Sequence, residues 1–137
     1  MKRTIIVLFI AAICVAVGIY LYVFREADPD VGKKTADFEL SAKELVEDFE
    51  MNEDSANIQF LDKILVAEGN VYNITEKDEV VTVYLKEDED LAGVLCNFNP
   101  GSINLQSAQI GNKIKVKGIC SGYLLDVVLN KCSIVVE

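Results

Sequence analysis

The chain has 137 residues, 51% of them hydrophobic, with 22 Asp and Glu against 13 Lys and Arg and a net charge of −9. That length holds one domain rather than two. The acidity argues against a surface that lives on phosphate contacts, and the lack of any His removes most zinc sites and the commonest general base.

Hydrophobicity is concentrated at the start. Residues 4–24 (TIIVLFIAAICVAVGIYLYVF) form a run of 21 residues without a charge. About 20 such residues, at ~1.5 Å each, cross the hydrocarbon core of a bilayer. In lipid the backbone must satisfy its own hydrogen bonds, so the run is expected as a transmembrane helix contacting the bilayer. Lys2 and Arg3 precede it, and Glu26, Asp28 and Asp30 crowd its exit. The positive-inside rule then places the N-terminus in the cytoplasm and the domain outside the cytoplasmic membrane. Arg25 and Lys33-Lys34 argue modestly the other way. Tyr20 and Tyr22 stand where aromatic residues favour the lipid boundary. A cleaved signal has a shorter apolar core and a small-x-small site; here the run ends in Tyr-Val-Phe-Arg. Cys14 is preceded by Ile13, with Ala11 at the third place before it, which is no lipid-attachment pattern, so it reads as one more apolar residue of the helix. Gly18 has no partner Gly four residues away for close helix pairing. The expected organisation is an anchor over 1–25, a tether over 26–40 containing Pro29 and Gly32, and one domain over 41–137.

The domain opens with Ser41-Ala-Lys-Glu44, which has capping-box spacing. Leu45, Phe49, Asn52, Ala56 and Phe60, widened by Val46, form one apolar stripe, predicting an amphipathic helix of about five turns. Beyond Lys63 the pattern turns to strands. Residues 64–74 are rich in β-branched residues and interrupted by Gly69, a place for a bulge or tight bend. An acidic turn at 75–79 leads to a second strand at 80–85. A charged turn at 86–90 leads to a third at 91–98. Asn99-Pro-Gly101 breaks the chain, and 102–109 is a short helix or loop. Residues 113–118 (KIKVKG) alternate, with Ile114 and Val116 inward and three Lys outward. Residues 119–125 bend the chain, and 126–136 form the last strand. No βαβ alternation points to a parallel sheet. The fold expected is mainly β with a preceding α-helix. Five strands, with the short connection between third and fourth, give the order of the OB-fold, a Greek-key barrel.

Three stretches carry a family likeness: Leu45, Phe49, Asn52-Glu53, Ala56 and Phe60 of the helix; Ile64-Leu-Val-Ala-Glu-Gly69-Asn-Val71; and above all Val116-Lys-Gly118-Ile-Cys120-Ser-Gly122-Tyr with Asp126-Val127-Val-Leu129 and Cys132. Over roughly residues 40–136 the chain resembles the tRNA_anti-like OB-fold proteins, mostly small bacterial envelope proteins. The motifs lie in the barrel frame. The resemblance implies the fold and an envelope setting, and it brings no catalytic residues.

Four chemistries bear on these residues. Nucleic-acid binding needs a cationic groove and aromatic platforms. Tyr72 and Tyr84, on the first two strands near the usual OB binding face, and the stripe Lys113, Lys115 and Lys117 are the candidates; a solvated strand face is the plainer reading, and nucleic acid is not the expected partner. For metal, Glu87-Asp-Glu-Asp90 lacks the spaced ligands and Gly of a calcium loop, and no CxxC pair exists. Among the thiols, Cys96, Cys120 and Cys132 all fall on inward phases. Outside the cytoplasm a disulfide persists; three pairings exist, of which Cys120–Cys132, leaving Cys96 over, joins the last two strands and is ranked first. Three buried free thiols are the alternative, and nothing nearby lowers a thiol pKa for redox work. No nucleophile elbow, phosphate loop or lysine-centred motif appears, so no enzyme and no cofactor are expected. Asn73-Ile-Thr75 fits a glycosylation sequon, a match that is chance if the source is bacterial. The expected function is a membrane-anchored OB-type binding or scaffold module that meets an envelope protein or glycan. The alternatives are a single-stranded nucleic-acid binder and a thiol-redox protein.

Overall fold

A computed structural model describes residues 1–24, 31–101, 103–104 and 106–136, the side chains of Val23 and Phe24 excepted. The expected acidic exit of the anchor and the first residues of the tether, 25–30, lie outside the described residues, as do Ser102, Leu105 and Glu137.

The apolar run is helix α1 (Lys2–Phe24). Its stretch Lys2–Tyr22 has mean hydropathy 2.8, and none of it is buried against the rest of the chain. It is long and apolar enough to cross a membrane.

Residues 31–40 do more than tether. After a short 3-10 turn (Val31–Lys33), in which Val31 is buried, Phe38–Ser41 form strand β1. Asp37 starts it: its N–H donates to the Ile64 carbonyl at 2.7 Å, and its carboxylate accepts from the Ile64 N–H at 3.0 Å. β1 then lies parallel to the first barrel strand, Phe38 opposite Leu65 through Ser41 opposite Glu68. A four-residue strand is too short to show a period, and Pro29 and Gly32 disguise it as linker. The chain thus has one parallel β–α–β unit where the sequence predicts none.

The capping box forms as expected. Ser41 Oγ accepts from the Glu44 N–H at 3.1 Å, and Glu44 accepts from the Ser41 N–H at 3.0 Å. That backbone hydrogen bond, first, and the Ser41 hydroxyl hold the Glu44 carboxyl below its usual pKa. The single long helix predicted over 41–60 is two: α2 (Ala42–Met51) and α3 (Glu53–Phe60). Asn52 breaks it. With φ −159 and ψ 96 it ends α2 and caps α3, its Oδ1 accepting from the Ser55 N–H at 3.0 Å. Asn competes with helix hydrogen bonds in this way and favours caps. The rest of the stripe is buried: Leu45, Phe49, Ala56 and Phe60 are each 3% exposed or less.

Five further strands close the barrel: β2 (Ile64–Lys77), β3 (Val80–Leu85), β4 (Val94–Phe98), β5 (Lys113–Tyr123) and β6 (Val127–Ile134). Their order is β2-β3-β4-β6-β5, with β5 returning to β2. All contacts are antiparallel except β4 with β6, which is parallel. This is the five-stranded OB barrel, with β1 added on the β2 edge. Val83, Leu85, Val94, Phe98, Val116 and Leu129 fill it, fully buried. Phe60 meets Phe38 edge-on at 5.2 Å, and Phe49 stacks on Tyr123 at 5.6 Å, joining helices to barrel.

Details of the strands depart from the sequence reading. β4 begins at Val94, and Leu91 is 99% exposed. In the 102–109 span the described residues form turns, with Asn104 accepting from the Gln106 and Ser107 N–H groups. β5 does not stop at Gly118 but runs to Tyr123, bending through register shifts. Gly69 marks no bulge. A Cβ there would stand 3.0 Å from Ala42 Cβ, so the glycine lets α2 approach β2. The bulge in the β2–β3 ladder falls at Tyr72, between the pairs Val71–Leu85 and Asn73–Tyr84.

Candidate functional site

The outer face of β2, β3, β4 and β6 carries the site. On β3 and β4 the inward residues are Val81, Val83, Leu85, Val94, Cys96 and Phe98, all buried. Alternation sends Thr82, Tyr84, Leu95 and Asn97 outward, half-buried. The bulge adds Tyr72. In a regular β2, Tyr72 and Asn73 would point to opposite faces. The extra residue leaves both exposed while Val71 and Ile74 stay on the core side. Tyr72 therefore meets Tyr84 edge-to-face, centroids 5.9 Å apart at 88°, and the Lys86 ammonium sits 4.1 Å over the Tyr72 ring. Tyr72 and Lys86 line a cleft of about 230 Å³ together with Glu87, Asp88, Ile110 and Gly111.

Tyr84 is fixed at its tip. Its hydroxyl donates to Asp126 Oδ1 at 2.6 Å, and the same oxygen accepts from the Gly93 N–H at 2.9 Å. Burial first, and then the Asp126 carboxylate, push the Tyr84 phenol up to about 12. Beside this pair a polar row crosses four strands. Thr82 Oγ1 donates to Asn97 Oδ1 (2.7 Å), Asn97 Nδ2 to Asn130 Oδ1 (2.9 Å), and Asn130 Nδ2 to Ser121 Oγ (2.6 Å). The strand register aligns it: Thr82 is opposite Asn97, and Asn97 is one residue beyond the Cys96–Leu129 pair. Each amide keeps further donor or acceptor capacity for a ligand. The face thus combines two aromatic rings, hydroxyls, amides and one ammonium. Sequence reasoning found the two tyrosines and missed the row. Its signal is Asn at two mid-strand positions, where Asn is depleted.

The lysine stripe points outward, and it is spent on this chain. Lys113 pairs with Glu68 at 2.8 Å. Lys115 pairs with Glu39 at 2.8 Å and with Glu68 at 3.7 Å. Lys117 Nζ donates to the Lys34 carbonyl at 2.8 Å and to the Gly32 carbonyl at 3.5 Å. The hydrogen bond from Lys113, more than the neighbouring charges, holds the Glu68 carboxyl below its usual range, and Glu68 in turn raises Lys113. The stripe and the tyrosines do not form one site.

Cys96, Cys120 and Cys132 are buried, and Cys14 is exposed on α1; all four are free thiols. The Cys120–Cys132 bond ranked first from sequence is not formed in the structure. Cys96 and Cys120 are both opposite Leu129, on the two sides of β6, and the Cys132 thiol donates to the Leu129 carbonyl at 3.3 Å. Burial pushes the Cys96 and Cys120 thiols up, the opposite of an activated thiol. Among the described residues no group of His, Cys, Asp and Glu is placed to hold a metal ion.

Among solved structures the chain is similar to a candidate nucleic acid-binding lipoprotein from Klebsiella pneumoniae, with TM-score 0.64 and 16% identity over 82% of this chain and all of that one. At that identity the likeness is one of fold. A candidate aspartyl-tRNA synthetase from Leishmania major aligns at TM-score 0.40 and 15% identity over 76% of this chain and 21% of that one. Among curated proteins none matches the chain. The tRNA_anti-like pattern matches residues 1–134, from the apolar helix through the last barrel strand, and the chain belongs to the tRNA_anti-like family.

Proposed function

We propose that this protein is a non-catalytic, single-pass membrane-anchored OB-fold module. Its N-terminus is cytoplasmic and its domain faces the envelope, where it binds a neutral, amide-bearing glycan on the outer face of β2, β3, β4 and β6. One observation carries the reading: that face presents Tyr72 and Tyr84 beside the Thr82–Asn97–Asn130–Ser121 row, while Lys113, Lys115 and Lys117 are bonded within the chain. Aromatic rings stack on the C–H faces of sugars, and amides and hydroxyls match sugar hydroxyl and acetamido groups. OB faces take oligosaccharides as well as nucleic acids. A second reading, a single-stranded nucleic-acid binder, is favoured by the cation over an aromatic ring at Lys86 and Tyr72 and by the name of the Klebsiella structure. The net charge of −9 weighs against it.

The test uses the full chain in lipid nanodiscs, titrated with N-acetylglucosamine oligomers and, separately, with oligo-dT. The expected result is saturable sugar binding, insensitive to salt and weakened roughly tenfold by Tyr72→Ala, about 1.4 kcal/mol. Oligo-dT binding that falls steeply with salt, with no sugar binding, refutes the glycan reading. Protease cleavage of a C-terminal tag in intact spheroplasts tests the orientation, and a protected tag overturns it.

A further inference from the structure

Three leucines stand out from two loops at one end of the barrel. Leu124 and Leu125 lie in the turn between β5 and β6, at 88% and 80% exposure, and Leu91 lies in the loop between β3 and β4, at 99%. Single exposed leucines are ordinary on a protein surface. These belong to loops that are fastened to each other. The Asp126 carboxylate accepts from the Gly93 N–H at 2.9 Å and from the Tyr84 hydroxyl at 2.6 Å, and the Val127 N–H donates to the Gly93 carbonyl at 3.0 Å. Leu125 directly precedes Asp126, and Leu91 lies two residues before Gly93, so one fixed junction presents all three. Acid surrounds them. Leu91 borders a cleft of about 190 Å³ between α2 and its own loop, where Glu47, Glu50, Glu89 and Asp90 meet Lys43. Among the described residues none of these four carboxylates forms an ion pair, whereas the lysines of β5 are all bonded within the chain. The same acidic field reaches the hairpin, where Tyr123 stacks on Phe49, the neighbour of Glu50.

Apolar tips within an acidic collar do not match a bilayer, whose anionic surface attracts basic segments and repels carboxylates. A second copy of the same patch would set acid against acid. The match is a protein surface with an apolar groove and cations at its rim. We propose that this end of the barrel is a docking surface for a basic protein partner. Leu91, Leu124 and Leu125 enter the groove, and a Lys or Arg of the partner enters the cleft between α2 and the β3–β4 loop. The junction at Asp126 is ordered before the partner arrives, so docking orders little beyond the leucines themselves. The surface shares with the glycan face only the Tyr84–Asp126 bond, and it depends neither on the glycan reading nor on which side of the membrane the domain lies.

The experiment places a photo-reactive phenylalanine analogue at Leu125 of the full chain in living cells and identifies the adducts formed on irradiation by mass spectrometry. Any protein so found is purified and titrated against the full chain in lipid nanodiscs. The expected result is one protein adduct, whose binding weakens about tenfold or more between about 50 and about 300 mM salt, as charge pairing requires. It weakens by about tenfold, or about 1.4 kcal/mol, in Leu125→Asp and again in the double variant Glu50→Lys with Glu89→Lys. All three changed side chains are exposed, so the thermal unfolding of each variant stays at the wild-type value. Adducts with phospholipid alone, or with a second copy of this chain, overturn the proposal in favour of those occupants. No adduct, or a protein whose binding is moved neither by salt nor by the charge reversals, overturns it outright.

Discussion

Gly93→Ala is the sharpest probe of how the barrel frame supports its outer face. Gly93 is buried just before β4. A Cβ there would stand 2.4 Å from the Leu85 carbonyl oxygen, 2.8 Å from Tyr84 Cε2 and 3.0 Å from Lys86 Cβ. Ordinary contact is about 3.5 Å, so the overlap with the carbonyl is about 1 Å. That carbonyl belongs to a strand paired on both sides and cannot swing away. The Gly93 φ is outside the left-handed region, so the cost is steric alone. Forced overpacking costs about 1–3 kcal/mol. Moving the segment also strains the Gly93 N–H bond to Asp126 (2.9 Å) and the Val127 N–H bond to the Gly93 carbonyl (3.0 Å). A hydrogen bond to a charged group is worth about 1.5–3 kcal/mol. The total is about 3 kcal/mol or more, and at 4–8 °C per kcal/mol for a domain this size, Tm falls by about 12 °C or more. The assay is thermal unfolding of the full chain in detergent, followed by tyrosine near-ultraviolet circular dichroism, since the chain has no Trp. Leu91→Ala, at a residue 99% exposed, is the control and stays within about 0.5 kcal/mol, so Tm moves by no more than about 2–4 °C. A Gly93→Ala loss no larger than the control's would refute the close approach of β4 to the end of β3.

The Tyr84 phenol, raised from 10.0 to about 12 by burial first and then by Asp126, gives a late phenolate absorbance step that is lost in Tyr84→Phe and moves earlier in Asp126→Asn. A raised folded pKa gives stability that is whole below the unfolded value and lost above it; the Tyr84 contribution therefore fades between pH 10 and about 12, and Tyr84→Phe removes that part of the alkaline slope. Lys117→Ala frees the carbonyls of Gly32 and Lys34. At about 1 kcal/mol for such bonds, limited trypsin digestion after Lys33 and Lys34 speeds up roughly fivefold, and an unchanged rate would mean that segment is held elsewhere. Asn52→Ala removes the α3 cap and costs about 1 kcal/mol in denaturant unfolding; a gain in stability would mean that the Asn side chain itself breaks the helix and that α2 and α3 join once it is gone.

What could be read in advance follows from the range of the interactions involved. The capping box at Ser41 and Glu44 is local in sequence and formed as spelled. Inward positions such as Val83, Val94, Val116 and Leu129 obey a period of two because each strand buries one face. What escaped depends on a single residue or a distant partner. Asn52 fits the helical stripe by position and breaks it by chemistry. β1 exists because Phe38 finds Phe60 and Asp37 finds Ile64, contacts that no window of sequence contains. Gly69 and the Tyr72 bulge show the same division, since a glycine in a strand announces a constraint without saying whether it is a bend or an approaching helix.

The lysines show why charge read along one strand does not make a binding surface. Lys113, Lys115 and Lys117 look like a free basic edge when β5 is considered alone. The register sets Glu68 opposite Lys115, and β1 brings Glu39 across the top of β2. The same sheet leaves the polar row of β3, β4 and β6 bonded mostly to itself and half-open to solvent, although only the two mid-strand Asn give any sign of it in their own strands. Thr82, Asn97 and Asn130 are separated by 15 and 33 residues and become one feature only when the parallel β4–β6 contact closes the barrel. A surface built that way is as rigid as the barrel. Its amides are already ordered before any ligand arrives, so little side-chain entropy remains to be lost on binding. For a neutral ligand, with no long-range attraction to draw on, such preorganisation is the main source of affinity that this face has to offer.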